Sequence, residues 1–187
     1  MKCLFLGYDK NKTRLIQLLT ENGCEVTHKI SDLQIDDIKR NITKKTKAIL
    51  VVHIYGLSTD METVLDIARR YKLLVIEDSS QAIGQLYGGK PCGSFGDIST
   101  FSFYSNKLIT TGEGGLLATN DEIIFEKCQS LRNLCFGKAQ RFIHTNLGWN
   151  YRMSNLQAAV GVAQVERWEM SLRKKKEIGR KYRSGLR

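Results

Sequence analysis

Lys107 follows Ile98-Ser-Thr-Phe-Ser-Phe-Tyr104, a run of β-branched and aromatic residues that reads as a buried strand, and precedes Thr110-Thr-Gly-Glu-Gly-Gly115, a glycine turn. An amine held among hydroxyls and backbone donors, with few carboxylates near it, can act as a nucleophile toward a carbonyl. Upstream, Leu73–Ile76 reads as a second short buried strand, and it delivers Glu77-Asp78-Ser79-Ser80-Gln81-Ala82 at its C-terminal end. Open α/β sheets bind ligands outside the carboxyl ends of their strands. Asp78 and Lys107 are therefore expected to converge on one crevice.

A lysine for an imine and a carboxylate for a pyridinium nitrogen are the pair that a pyridoxal phosphate site needs. Each residue also has a plain reading. Lys107 suits a solvated loop, Asp78 a helix cap, Ser102 an ordinary strand position and Asn150 a turn. The order in which the segments come favours the chemical reading: Glu77-Asp78-x-x-Gln81-Ala82, Phe101-Ser102-Phe103, Lys107 ahead of Thr110–Gly115, and Arg152-Met153-x-Asn155-Leu156-Gln157-Ala158-Ala159. Together, His53–Gly56, Glu77–Gly84, Gly93–Gly115 and Leu147–Ala159 resemble the DegT/StrS-type family of pyridoxal phosphate-dependent nucleotide-sugar aminotransferases, of fold type I. The resemblance runs from about Ile35 to the C-terminus, and perosamine synthase-like members are the group it suggests.

That resemblance implies a role for each residue. Lys107 would form the imine with the cofactor and then serve as general base and acid for the 1,3-proton shift. Asp78 would keep the ring nitrogen protonated, so that the ring acts as an electron sink. Gln81 would contact the ring or its phenolic oxygen, and Ser102 would donate to the phosphate. Asn150, in Gly148-Trp-Asn-Tyr-Arg-Met153, would reach the phosphate of a neighbouring subunit, which implies a homodimer. The implied reaction moves an amino group from an amino acid, glutamate in the first instance, to a keto-sugar carried on a nucleotide. The family's Gly-Thr turn, which cradles the phosphate at a helix N-terminus, does not occur before Ile35. A non-catalytic remnant that keeps the fold without a complete cofactor site is therefore the rival reading.

The elements that must position these residues read as an α/β fold, a mostly parallel sheet flanked by helices. Lys47–Val52 is an apolar strand closed by His53-Ile54-Tyr55-Gly56. Asp60 is placed to cap a helix in which Met61, Val64, Leu65 and Ala68 share one face. With the strand Leu73–Ile76 this makes a βαβ unit, which crosses over right-handed. His53 could meet a cofactor, but a histidine at a strand end is more often structural, and that reading is preferred. Gly84–Pro91 has the spacing of a phosphate-binding G-x-x-x-x-G-K loop, yet Pro91 stands where that loop needs a hydroxyl. It reads instead as a glycine-rich hairpin. Gly115–Thr119 is a further strand, and Ile124, Cys128 and Leu131 mark a helix face with Cys128 in the core. Cys135–Leu147 is a loop bordering the site, and Leu156, Ala159, Val160 and Ala163 begin one long final helix.

The first residues differ in character. Lys2–Leu6 and Cys24–His28 read as strands around a helix at Thr13–Leu19 that ends at Gly23. Leu4–Asp9 and Gly23–Val26 resemble the start of sugar N-formyltransferases, whose catalytic motifs are not in the chain. The expected organisation is residues 1–33 as a segment of different origin. Residues 34–187 are then part of an aminotransferase large domain, the C-terminal small domain being missing. The chain of 187 residues, 42% hydrophobic, suits one core. No apolar run reaches the roughly 18 to 20 residues that span a bilayer, and the start lacks the apolar length of a signal peptide. A cytoplasmic protein without membrane partners is expected. The five cysteines share no CxxC spacing, so neither a disulfide framework nor a metal site is indicated. The formal charge of +10 concentrates after Val165, where nine basic residues face three acids on what reads as helix. Without a nucleic-acid motif, that is a solvated face rather than a nucleic-acid surface.

Overall fold

The computed structural model describes the backbone of residues 2–6, 25–29, 35–137 and 142–186, and side chains within 37–137 and 142–186. The helix expected at Thr13–Leu19 and its end at Gly23 lie outside the described residues. The chain divides into two compact units, Met1–Phe101 with Leu117–Phe125 and Ser102–Leu116 with Glu126–Arg187.

The first unit is built on a sheet whose strands are β1 (Lys2–Leu6), β2 (Glu25–Lys29), β3 (Thr46–Val52), β4 (Leu74–Asp78), β7 (Ile98–Ser102) and β8 (Gly115–Ala118). Their order is β2-β1-β3-β4-β7-β8, and the pairs β1/β2, β1/β3, β3/β4 and β4/β7 are all parallel. The architecture is α/β, a mostly parallel sheet flanked by helices. Parallel neighbours need crossovers, and the helix α1 (Ile35–Asn41) and the helix α2 (Met61–Tyr71) lie on two of them. Met61, Val64, Ile67 and Ala68 of α2 pack with Ile38, Ile49, Val51 and Val75 into one apolar core. Ile67 takes the fully buried place and Leu65 only edges the core.

Helix α2 starts where Asp60 accepts the Thr63 N–H at 3.2 Å and ends at Lys72, in the left-handed region with φ 54°. There the Leu73 N–H reaches back to the Ala68 carbonyl at 2.9 Å. That six-to-one closure takes Leu73 out of the strand. Strand β4 therefore begins at Leu74 and runs on through Asp78, later at both ends than the sequence suggested. The glycine-rich stretch is a hairpin of β5 (Leu86–Tyr87) and β6 (Lys90–Pro91), turned by Gly88 and Gly89 with φ of 54° and 80°. Two positive φ values are the mark of the tight turn that matches strand twist.

Strands β7 and β8 and the helix α3 (Glu122–Arg132) contribute residues to both units. The second unit adds the helices α4 (Asn155–Glu166) and α5 (Trp168–Gly185). The single long final helix expected from sequence is thus two helices. Arg167 leaves helical geometry at φ −103°, ψ 8°, and its N–H bonds to the Gln164 carbonyl, three residues back. No glycine or proline marks that break, so periodicity alone does not locate it. In α5 the basic side chains are exposed, and Glu177 bridges Lys181 at 2.9 Å and Lys174 at 3.7 Å. Among the described residues no helix is long and apolar enough to cross a membrane, and no cluster of histidine, cysteine and carboxylate residues could hold a metal ion.

Candidate active site

Strand alternation sends neighbouring side chains of β4 to opposite faces. Val75, Glu77 and Ser79 form one buried row, while Asp78 lies half-buried on the other face. Register with β7 pairs Glu77 with Ser99 and Asp78 with Thr100. Two adjacent carboxylates therefore meet different surroundings.

The Glu77 carboxylate is closed off. One oxygen accepts from His53 Nε2 at 2.8 Å and from the Gly93 N–H. The other accepts from the N–H groups of Phe95 and Gly96, both at 3.0 Å, and from the Ser99 hydroxyl at 3.4 Å. Burial by itself would raise this carboxyl, but the bonds from His53, Gly93, Gly96 and Phe95 outweigh it and hold Glu77 below the ordinary carboxylate range. His53 is also fully buried. Its Nδ1 accepts the Thr59 N–H at 3.2 Å, so Nε2 is the nitrogen that donates to Glu77. The preference for a structural His53 agrees with this pairing.

Asp78 is held by one oxygen only. Oδ1 accepts the Ser80 N–H at 2.9 Å and the Thr100 hydroxyl at 3.3 Å, while Oδ2 has no hydrogen bond among the described residues. The backbone carbonyl of Asp78 accepts the His53 N–H at 3.1 Å, which ties the end of β3 to the end of β4. Gln81 is exposed one turn on, and its Oε1 accepts the N–H of Tyr55. Tyr55 sits at φ 54°, ψ 20°, a conformation that persists in a bulky residue only where the surroundings overdetermine it. Gly56, at φ 80°, lies so close to Gln81 that a Cβ there would be 3.1 Å from the Gln81 carbonyl.

The second unit holds the other expected residues. Ser102 Oγ accepts the Tyr104 N–H at 3.3 Å. From there the chain closes a loop: the Thr111 N–H donates to Phe103 O and the Phe103 N–H to Gly114 O, each at 2.9 Å, and the Thr110 hydroxyl donates to Phe103 O at 3.1 Å. Lys107 lies within that loop, half-buried, with its backbone N–H on Tyr104 O at 3.0 Å. Its amine has no hydrogen bond or ion pair among the described residues. Gly114 is needed by the loop's own packing, since a Cβ there would come within 2.8 Å of Thr111 Oγ1 and 2.9 Å of Met153 Cε. Helix α4 is set against the loop by its capping box. Ser154 and Gln157 exchange bonds, and the Gln157 amide donates to the Glu113 carbonyl at 3.3 Å. Asn150 is exposed on a bridge to Asn133, and its sequence neighbours Trp149 and Tyr151 stack their rings. In the Cys135–Leu147 loop, Phe136 bridges His144, while residues 138–141 lie outside the described set. Cys128, expected in the core, is only half-buried on α3.

Asp78 and Gln81 thus belong to the first unit, and Ser102, Lys107 and Asn150 to the second. Sequence reasoning passed over the part played by Glu77, which the burial row Val75–Glu77–Ser79 could have signalled: a carboxylate in phase with core residues must collect buried donors.

The mostly parallel sheet flanked by helices places the chain among α/β proteins. The chain belongs to the DegT/DnrJ/EryC1/StrS aminotransferase family, whose model matches residues 22–187. It is 44% identical over 162 residues to the GDP-perosamine synthase of Vibrio cholerae, covering 87% of this chain and 44% of that protein. It is 38% identical over 152 residues to a Bacillus subtilis protein named as a pyridoxal phosphate-dependent aminotransferase, covering 81% of this chain and 39% of the other. The crystal structure of an aminotransferase from Streptoalloteichus hindustanus shares the fold, with a TM-score of 0.87 at 24% identity over 99% of this chain and 51% of that one. The chain spans about half the length of these relatives or less. The family match opens at residue 22, ahead of the boundary expected at residue 34.

Proposed function

We propose that this chain is the cofactor-binding part of a pyridoxal phosphate-dependent aminotransferase that passes an amino group from an amino acid, glutamate in the first instance, to a nucleotide-linked keto-sugar. The observation that carries the reading is the state of Asp78. Thr100 and Ser80 fix one of its oxygens, and the other has no hydrogen bond among the described residues at the carboxyl end of a parallel strand. An open, oriented carboxylate oxygen fits a protonated ring nitrogen, and an unpaired amine fits a carbonyl partner. The donor set of the chain therefore suits pyridoxal phosphate, which when bound supplies the electron sink that stabilises a carbanion at the donor's α-carbon.

In this reading Asp78 would hold the cofactor's ring nitrogen, with Ser80 and Thr100 fixing its carboxylate through Oδ1. Gln81 offers its amide NH2, because Tyr55 already occupies Oε1. Lys107 would hold the cofactor through its amine, which, once free, would be the group able to accept and return a proton. Ser102 and, from a neighbouring copy of the chain, Asn150 bind the phosphate. The described residues supporting a homodimer are those of the exposed Trp149–Tyr151 segment. Free Cys92, Cys128 and Cys135 agree with the cytoplasm. Residues 34–187 are proposed as part of the large domain. GDP-linked sugars are the first substrates to try, on the strength of the perosamine synthase relative.

The test is an absorbance titration of the 187-residue chain with pyridoxal phosphate, followed by borohydride reduction and peptide mapping. The unaltered chain is expected to retain the cofactor on the peptide containing Lys107, and Lys107→Ala is expected to retain none. Identical spectra for the two proteins would leave the family's fold without its cofactor site, and the remnant reading would stand.

A further inference from the structure

We infer that His53 and Glu77 are positioning residues for Gln81, acting through the segment His53–Thr59 and so fixing which end of the Gln81 amide faces a bound cofactor. The inference deepens the reading above and rests on it. A backbone N–H can only donate, so the Tyr55 N–H must meet the amide oxygen of Gln81, and the NH2 end is turned outward. The orientation of Gln81 is thus decided by where Tyr55 puts its N–H. Tyr55 is in the left-handed region, a place it does not take unaided. What holds it is the histidine. The His53 carbonyl accepts the Gly56 N–H at 3.3 Å, its Nδ1 accepts the Thr59 N–H at 3.2 Å, and its backbone N–H is tied to Asp78. One end of the turn is therefore anchored on the His53 backbone and the other on its fully buried imidazole.

That side chain is in turn locked by Glu77. With Nδ1 taken by Thr59, only Nε2 can donate, and Glu77 is the acceptor at 2.8 Å. Glu77 is itself immobilised by Gly93, Phe95, Gly96 and Ser99. The route is Glu77 to His53, along the backbone of the turn to the Tyr55 N–H, and on to the Gln81 amide; the first and last links are hydrogen bonds, and the middle one is the turn that the Gly56 and Thr59 N–H groups close on His53, all within the first unit. An amide turned outward by its NH2 offers donors, which suits an oxyanion such as the phenolate of a pyridoxal ring. A freely rotating amide would present its oxygen part of the time and repel the same group.

The experiment uses two readouts. In the chain without cofactor, the Gln81 side-chain amide is expected to give a dispersed nitrogen–proton resonance, and His53→Phe is expected to collapse it to the position of a free glutamine. His53→Gln, whose amide can still donate to Glu77, is expected to restore most of the dispersion. With pyridoxal phosphate added, His53→Phe is expected to weaken binding about tenfold, the worth of one oriented hydrogen bond, and to move the pH at which the cofactor's visible band changes. In a Gln81→Ala background the same substitution is expected to do neither. Should His53→Phe not fold, Gly56→Ala, whose Cβ would come within 3.1 Å of the Gln81 backbone carbonyl at a positive φ, displaces the same turn and is expected to give the same losses. Additive effects in the Gln81→Ala background, or an unchanged Gln81 resonance, would overturn the inference while leaving the cofactor reading in place. A failure of the unaltered chain to take up pyridoxal phosphate would overturn both.

Discussion

Replacing Glu77 with glutamine tests the buried network by the smallest possible change. The side chain keeps its shape and loses one acceptor oxygen. If the remaining oxygen faces Phe95, Gly96 and Ser99, the new NH2 group points at the His53 Nε2–H and the Gly93 N–H. His53 cannot escape by moving its proton, because Nδ1 would then confront the Thr59 N–H. Turned the other way, the amide orphans Phe95, Gly96 and Ser99 instead. Either way at least two buried donors lose a partner. At about 1–3 kcal/mol for each, partly offset by no longer burying a charge, the loss comes to about 3 kcal/mol. That is a large share of a stability of roughly 5–15 kcal/mol. Urea unfolding at neutral pH followed by circular dichroism measures it. The pH dependence gives a second check. The folded value of Glu77 lies below its ordinary 4.5, so its contribution is fully present above that value and is lost as the pH falls through the folded one. The gap between unaltered and Glu77→Gln chains should therefore be constant above about pH 5 and close on acidification. A glutamine chain as stable as the original, or a gap that does not narrow in acid, would refute the reasoning.

Two further substitutions probe the same unit. Gly93→Ala would place a Cβ 2.2 Å from Phe101 Cζ at a backbone φ of 92°, so it is expected to destabilise by at least about 2 kcal/mol through strain and overpacking. The unfolding midpoint reads this out, and a midpoint matching the original would contradict the close approach. Tyr87→Phe removes the hydroxyl that donates to Asp60 at 2.7 Å. That bond, ahead of those from Thr63, holds Asp60 below the ordinary carboxylate range. A carbon-detected titration of Asp60 should show its midpoint rise in the variant, and an unmoved midpoint would remove Tyr87 from the cap.

How far the fold could be read from sequence depended on how local each signal was. The Asp60 cap and the Gly88-Gly89 turn lie where the pattern put them; the strand expected at Lys47–Val52 starts one residue earlier, at Thr46, and the apolar face of α2 buries Ile67 where Leu65 was expected. The shift of β4 by one residue is less visible, because it follows from the Leu73 N–H closing the previous helix. The break at Arg167 has no side-chain marker at all. Of the site, the residue types and their order were legible. The hydrogen bonds that hold Asp78 by one oxygen were not, because Thr100 reaches it only through the register of β4 against β7.

The contrast between Glu77 and Asp78 shows what decides the fate of a carboxylate more than its sequence neighbourhood does. They are consecutive, in one strand, and nothing in their chemistry distinguishes them. Alternation turns Glu77 toward the core, where the loop Gly93–Gly96 must find acceptors for its N–H groups and uses up both oxygens. The same alternation leaves Asp78 on the face where, among the described residues, Ser80 and Thr100 reach its carboxylate. A buried carboxylate with every lone pair engaged can do no chemistry, but it can hold three chain segments in place. A half-engaged one is free to meet a cation. The strand thus sets a fully engaged acid beside a half-engaged one, and a slip of one residue in its register would exchange the two.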